Sequence, residues 1–256
     1  MQTWAIANQK GGVGKTTTTL CLARGLVGAG HRVLLVDLDP HASLSHAFGV
    51  PTDPTPRGAY ELFTDAAPML SRLARETPVD GLKLCPAQPA LATLERRGAT
   101  QPGLGLALGR ALHASRGAYD YVLLDCPPTL GLLMVNALAA ADRLVIPTQT
   151  DPLAMHGLND MVRTADMVER SRRRPLARHI IPTLYDRRTR SGVKSLELLQ
   201  DGHPSHCWHK AVPMDTRLRD PSVLTAEEPP TGKGADAYRS ALAWLLDKAD
   251  VRKEAA

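Results

Sequence analysis

At 256 residues, with 43% hydrophobic and 22% charged side chains, the chain has the balance of an ordinary globular protein, not of a disordered or fibrous one. Its four cysteines, Cys21, Cys85, Cys126 and Cys207, form no CxxC pair, which argues against a disulfide framework and fits a reducing cytoplasm. The net charge of +5 permits an acidic partner without requiring one, no apolar stretch reaches the roughly 20 residues that span a bilayer, and no secretory leader is expected where MQTWAIANQKGG runs into a glycine motif.

Short runs rich in Val, Ile and Leu predict buried strands at TWAIAN (3–8), HRVLLVDLD (31–39), LKLCP (around 83–86), YDYVLLD (119–125), RLVIPTQ (143–149) and RHIIPTLY (178–185). Helical patterns fill the intervals at about 15–29, 102–116, 130–140, 152–171, 190–200 and 235–250. Alternation of this kind predicts an α/β fold with a doubly wound, mostly parallel sheet and helices on both faces. Residues 51–58 and 226–234 have the Pro and Gly density of surface loops. With no internal repeat, a single domain over 1–256 is expected.

QKGGVGKTTTT follows the first predicted strand and opens the first predicted helix, the context that a phosphate-binding loop needs. Gly11, Gly12 and Gly14 let the backbone turn sharply and bring N–H groups against phosphate oxygens. The helix behind them points its positive end at the same anion. Lys15 has the reach for β- and γ-phosphates, and the Thr16 hydroxyl is a ligand for Mg²⁺. The pattern GxxxxGK[ST] breaks at its first position, where Gln9 stands, and an additional lysine, Lys10, precedes the glycine pair. The plain alternative is an incidental Gly-rich turn, but strand, loop and helix agree with the motif.

Asp125 ends the apolar strand YDYVLLD, where a carboxylate holds Mg²⁺ through water in the manner of a Walker B strand. Asp37 and Asp39 close VLLVDLD beside the loop. In a parallel sheet all three lie at carboxyl ends of strands, where ligands bind. Each has a bland alternative as a helix N-cap or loop carboxylate, which weighs most for Asp37. HPSHCWH gathers His203, His206, Cys207 and His209, yet no second cluster completes a tetrahedral metal set, so a polar loop is the simpler expectation. Arginines crowd at Arg170, Arg172, Arg173 and Arg174, at Arg187, Arg188 and Arg190, and at Arg217 and Arg219; most such runs are solvated faces.

KGGVGKTT, VDLDP and LLDCPP, in this order and at these spacings, resemble the ParA/MinD family of deviant-Walker ATPases, and the resemblance runs on to GADAYRSALAWLL. It implies a P-loop NTPase fold and a slow, Mg²⁺-dependent, partner-stimulated ATP hydrolase in which ATP is sandwiched between two monomers. The nucleotide loop then comprises Lys10, Gly11, Gly12, Val13, Gly14, Lys15, Thr16 and Thr17. Lys10 takes the part of the lysine that crosses to the other monomer's phosphates, Lys15 that of the P-loop lysine, and Thr17 that of a further phosphate contact. Thr16 and Asp125 correspond to the Mg²⁺ site, with Asp37 a further candidate through water. Asp39 matches the carboxylate that positions the attacking water.

Within the family, LDPHASL, PALATLERR, MVNALAAADR, MHGLNDMVRT and PTLYDRRTR resemble the ParC-type proteins of polar flagellar and chemotaxis gene clusters. That resemblance implies chemoreceptor arrays as cargo. DNA-partition members usually carry Gln in place of His41 and an IPR triplet in place of Val212, Pro213 and Met214, yet plasmid or chromosome partition is the competing reading. There, positions matching Arg188 and Arg217 bind DNA without sequence preference. A MinD-like regulator of cell division or flagellar number is the third reading. Tyr238, Leu242, Leu245 and Leu246 make a stripe of core-packing spacing, so a membrane is not expected as partner. No helix-turn-helix extension is expected before the loop. An electron-donating reductase would need cysteines around an iron–sulfur cluster, and Cys85 and Cys126 are single. The expected partners are a second copy in an ATP-dependent homodimer, an array-linked or centromere-binding stimulating protein, and non-specific DNA. The expected location is the cytoplasm, at the nucleoid or the pole.

Overall fold

The apolar run after Met1 forms β1 (Gln2–Ile6), and the glycine loop behind it enters α1 (Lys15–Gly28) in this computed structural model, which describes residues 1–97 and 104–253. Then come β2 (Val33–Asp37) and three short helices, α2 (Ser43–Ala47), α3 (Glu61–Thr64) and α4 (Leu70–Leu73). The chain continues through β3 (Arg75–Glu76), β4 (Leu82–Cys85) and α5 (Leu91–Arg97). Past a 3-10 turn at Leu104–Leu106 lie α6 (Ala107–Ala114), β5 (Tyr121–Asp125), α7 (Leu132–Ala140) and β6 (Arg143–Gln149). α8 (Ala154–Arg172), β7 (Ala177–Thr183) and α9 (Arg190–Gly202) lead to a second 3-10 turn at Thr216–Arg219. α10 (Pro221–Thr225) and α11 (Lys233–Lys253) follow.

Among the described residues the strands make one seven-stranded sheet in the order β3-β4-β2-β5-β1-β6-β7. Every neighbouring pair is parallel except β3 with β4. Side chains alternate between two cores, as the pleat requires. Ala5, Leu34, Val36, Val122, Leu124, Leu144 and Ile146 face one core with α6, α7 and α8, whereas Trp4, Ile6, Val33, Leu35, Leu123, Val145 and Ile181 face the other with α1 and α11. The sheet is thus covered on both faces, the doubly wound arrangement expected.

The differences from expectation have local causes. The helix expected over 102–116 is a 3-10 turn followed by α6. Gly105 and Gly109 weaken helix propensity there, and residues 102 and 103 lie outside the described residues. The helices α2, α3, α4 and α10 have four or five residues and are too short to display a period. The edge strand β3 has two. These short pieces come where α/β alternation lapses, between β2 and β4 and after α9.

β1 lies between β5 and β6, and β2 lies beyond β5, so the chain reverses its winding direction at the carboxyl end of β1. The register sets Ile6 and Asp37 on either side of Asp125. The glycine loop, the end of β2 and the end of β5 therefore open onto one crevice.

Candidate nucleotide-binding site

Two glycines shape the loop between β1 and α1. Gly12 (φ 73°) and Gly14 (φ 87°) hold left-handed backbone that other residues adopt only with strain. Gly14 is the N-cap of α1 and has no side chain to offer, so the first-turn N–H groups stay available to an anion. Val13, between them, is buried, and its carbonyl accepts from the Thr183 hydroxyl at 2.9 Å, which pins the loop to the end of β7. Asn8 braces the entry: its amide donates to the Pro147 carbonyl at 2.8 Å and its side-chain oxygen accepts from the Lys10 N–H at 3.0 Å.

At the head of α1, the Thr16 hydroxyl donates to Asp125 Oδ2 at 2.8 Å, and the Thr19 hydroxyl to Oδ1 at 3.1 Å. Burial pushes the Asp125 carboxyl above its usual range, and the two hydroxyls and Lys15 pull it back. Lys15 is 8% exposed, and its ammonium rests on the Lys10 carbonyl at 3.3 Å. Burial lowers its pKa, and Asp125 and then Asp39 offset this. A cation held between carboxylates and facing bare helix N–H groups is suited to a polyphosphate. Thr16 and Asp125 supply hard oxygen donors of the kind Mg²⁺ takes together with substrate phosphates. No cluster of three or more His, Cys, Asp or Glu forms a metal cage among the described residues. Thr17 stands half-buried at the head of α1 with Gly14 and Thr183.

The two β2 aspartates differ. Asp37 is fully buried; its Oδ2 accepts from the Ser45 N–H at 2.8 Å and hydroxyl at 2.7 Å, and Oδ1 accepts from the Asp39 N–H at 3.1 Å. Burial first, and then the facing Asp125 charge, raise its pKa. Oδ2 thus holds α2 through Ser45, and Oδ1 holds the turn at Asp39 that precedes it. Asp39 lies nearer the crevice and accepts, through Oδ1, from the His41 N–H at 3.0 Å and the His41 ring at 2.9 Å.

Lys10 is folded onto its own chain. Its Nζ lies 3.5 Å from Asp151 Oδ1, where Asp151 also caps the entry to α8 through the Leu153 N–H. Gly157 makes this approach possible, since a Cβ there would stand 3.2 Å from Lys10 Cβ. Asp151 and Gly157 escaped the sequence reading because only the β6–α8 packing brings them to the loop, and Asn8 because its Pro147 partner lies on β6. Their signal is a glycine in a helix interior, which usually marks close backbone approach.

Arg188 and Arg217 lie on neighbouring segments joined by a bridge at Tyr185 and Pro213. Neither guanidinium is free. Arg188 donates to Asp186 through Nε and Nη2, and Arg217 does the same to Asp215 at longer range. Arg217 also packs over Gly232, where a Cβ would collide with its guanidinium. The cluster at 170–174 is partly structural: Arg172 and Arg174 donate to carbonyls at the end of α7. The segment HPSHCWH runs along β7, exchanging backbone bonds with Ile180 and burying Trp208. On α11, Tyr238, Leu242 and Leu245 are buried in the core, and Tyr238 shares a 2.8 Å hydrogen bond with Thr18. Among the described residues no helix is long and apolar enough to cross a membrane.

An anion-binding helix end and a strand-end carboxylate, tied together across neighbouring strands, define a P-loop nucleotide-binding protein. Comparison with known proteins narrows this. A family model described as an AAA domain matches residues 1–178. The chain is 34% identical over 241 residues to the sporulation initiation inhibitor protein Soj of Bacillus subtilis, covering 91% of this chain and 94% of that protein. It is 40% identical over 242 residues to the chromosome-partitioning ATPase Soj of Thermus thermophilus, covering 92% and 91%. A Mycobacterium smegmatis structure described as cobyrinic acid a,c-diamide synthase with bound ADP and magnesium superposes with a TM-score of 0.82 at 35% identity, over 96% of this chain and 94% of that one. The chain belongs to the ParA/MinD family of P-loop ATPases.

Proposed function

We propose that this protein is a Mg²⁺-dependent ATP hydrolase that dimerises around ATP and uses the cycle to position or segregate intracellular cargo. The observation that carries the reading is the meeting of Lys15, Thr16 and Asp125 at the head of α1, beside a loop turned by left-handed glycines. The Mycobacterium smegmatis relative, solved with ADP and magnesium, supports it.

In this reading the N–H groups of Gly12 to Thr17 and the Lys15 ammonium bind the phosphates, with Lys15 leaving the Lys10 carbonyl to do so. Thr16 and Asp125 hold Mg²⁺, which neutralises phosphate charge when bound. The Asp39 carboxylate is tied to His41 through Oδ1 alone among the described residues, which leaves Oδ2 to orient the attacking water. Lys10 leaves Asp151 and acts on the second monomer's phosphates. A lysine delivered that way neutralises charge only in the dimer, so hydrolysis follows association. Asp37, with both oxygens engaged, orders the β2–α2 turn that presents Asp39.

Two cargoes have support. Relatives named for chromosome partitioning favour DNA. His41 and the Val212-Pro213-Met214 triplet, which depart from the DNA-partition pattern, favour a polar chemoreceptor array. Phosphate release with wild type and Lys15→Ala tests the hydrolase; no loss of turnover in Lys15→Ala sinks it. Deleting the gene separates the cargoes: cells lacking DNA follow from partition, and misplaced arrays with normal DNA content from array positioning. Neither phenotype would refute both.

A further inference from the structure

The backbone of Asp39 is fixed on both sides. Its N–H donates to Asp37 Oδ1 at 3.1 Å, and its carbonyl accepts from the Ala42 N–H at 2.8 Å, which closes the turn Asp39-Pro40-His41-Ala42. Pro40 restricts the turn further. Ala42 completes it in left-handed backbone (φ 55°) at the N-cap of α2. A residue with a side chain is strained there, and such strain persists only where the surroundings hold it.

The backbone leaves open only the direction of the Asp39 carboxylate. Two donors from His41 converge on Oδ1, the N–H at 3.0 Å and ring Nδ1 at 2.9 Å. A carboxylate only accepts, so Nδ1 carries a proton in this contact. The Asp39 side chain is 15% exposed and the His41 side chain 82%. The carboxylate therefore has little bulk water to orient it, whereas the ring fills no core space. Burial dominates the pKa values of Lys15 and Asp125, but the Asp39 charge also acts to raise both, so this carboxylate bears on the crevice.

We propose that the His41 imidazole is a positioning residue for hydrolysis: it locks the Asp39 carboxylate through Oδ1 and so fixes where Oδ2 holds the attacking water. The proposal rests on the reading of Asp39 as the water-orienting carboxylate. His41 touches neither phosphate nor metal in it and acts only through Asp39. An error of about 1 Å in such a group can cost on the order of 10²-fold in rate. The backbone N–H bond survives any substitution of the ring, so the loss should be nearer tenfold.

Steady-state phosphate release and ATP titration of the full chain, for wild type, His41→Phe, His41→Asn and Asp39→Ala, test this. His41→Phe keeps the ring and removes its donor; kcat should fall about tenfold, with KM, ATP affinity and thermal midpoint unchanged. In His41→Asn the side-chain amide nitrogen takes the place of Nδ1, and kcat should return to within about threefold of wild type. Wild-type turnover in His41→Phe, a loss carried by KM or ATP affinity, or failure of Asn to restore kcat would each overturn the proposal. Asp39→Ala separates the two readings. If it turns over like wild type, the assignment of Asp39 fails and that of His41 with it; if it is slow while His41→Phe is not, only His41 loses its role.

Discussion

Thr16 and Asp125 are 109 residues apart in the chain and 2.8 Å apart in space. The contact ties the head of α1 to the end of β5 and brings together the two side chains proposed to hold Mg²⁺, Thr16 by its hydroxyl and Asp125 through water. Asp125→Asn keeps an acceptor for one hydroxyl but loses the charge. Hydrogen bonds to charged groups contribute about 1.5–3 kcal/mol, so the strengthening of ATP binding by Mg²⁺ should fall by about tenfold or more. Binding in the presence of a chelator should change little. A fluorescent ATP analogue titrated with and without Mg²⁺ gives both numbers; an undiminished Mg²⁺ effect would remove Asp125 from the metal site.

The pairing of Lys10 with Asp151 makes the next expectation two-sided. Lys10→Ala should retain ATP binding and lose ATP-driven dimerisation, because its proposed target lies across the dimer. Asp151→Asn should act in the opposite sense by releasing Lys10. Partly exposed ion pairs are weak, so the ATP concentration for half-dimerisation should fall by no more than about fivefold. Light scattering across an ATP series measures each variant. An ATP-driven dimer in Lys10→Ala equal to wild type would refute the sandwich.

Asp39→Ala should trap an ATP-bound dimer that turns over slowly. Removing a water-orienting group costs on the order of 10²–10⁴ in rate and need not cost affinity. Single-turnover phosphate release, read beside dimer lifetime, checks this. Weakened ATP binding with normal turnover would make Asp39 structural.

The parts of this site legible in sequence were those whose chemistry is local. QKGGVGKTTTT specifies strand, turn and helix within a few residues, and Asp39 and Asp125 stand at the ends of apolar runs long enough to show as strands. The groups that hold these residues in place were not legible. Asn8 and Asp151 act through β6 and α8, Ser45 meets Asp37 only because α2 folds back, and Tyr238 reaches Thr18 across 220 residues. Spacing conveys none of these, since each depends on strand order. The edge strand β3 and the four- and five-residue helices carry too few residues for any period to emerge.

The four cysteines are free and buried. Burial pushes the Cys21 and Cys207 thiols up to about 12 and raises those of Cys85 and Cys126 as well. Thiolate is the reactive form, so the native protein should resist a disulfide reagent at about pH 8, whereas the denatured protein should react at all four positions. The same shifts set a sign for stability. A thiol whose pKa is raised on folding holds its proton more tightly in the native state. The thiols' contribution to stability should therefore be constant below the ordinary thiol value of 9.0 and decline as pH rises above it. Denaturant titrations across that range test the slope, and rapid native labelling would contradict the burial.

Arg188 and Arg217 repeat one local device: each donates its backbone N–H and its guanidinium to the aspartate two positions earlier. The Arg188 side chain is 82% exposed and that of Arg217 is 55% exposed, so both stay accessible to a polyanion. Each must loosen from its aspartate to bind phosphate. If DNA is the track, random duplex should shift with ATP and not with ADP, since a dimer doubles the contacts, and the shift should weaken steeply with salt through counterion release. Arg188→Glu or Arg217→Glu should abolish it uniformly across sequences while ATP-driven dimerisation persists. Asp186→Asn should do the reverse. It frees Arg188 while keeping an acceptor for the backbone N–H, and binding should tighten a few-fold at low salt. Asp215 is the poorer choice, because it also accepts from the Gly234 N–H at the start of α11. A gel shift over several salt concentrations decides among these outcomes. Should wild type show no ATP-dependent shift even at low salt, the two Asp–Arg pairs are a solvated or protein-binding face. A polar protein landmark then becomes the anchor, and array positioning gains over DNA partition.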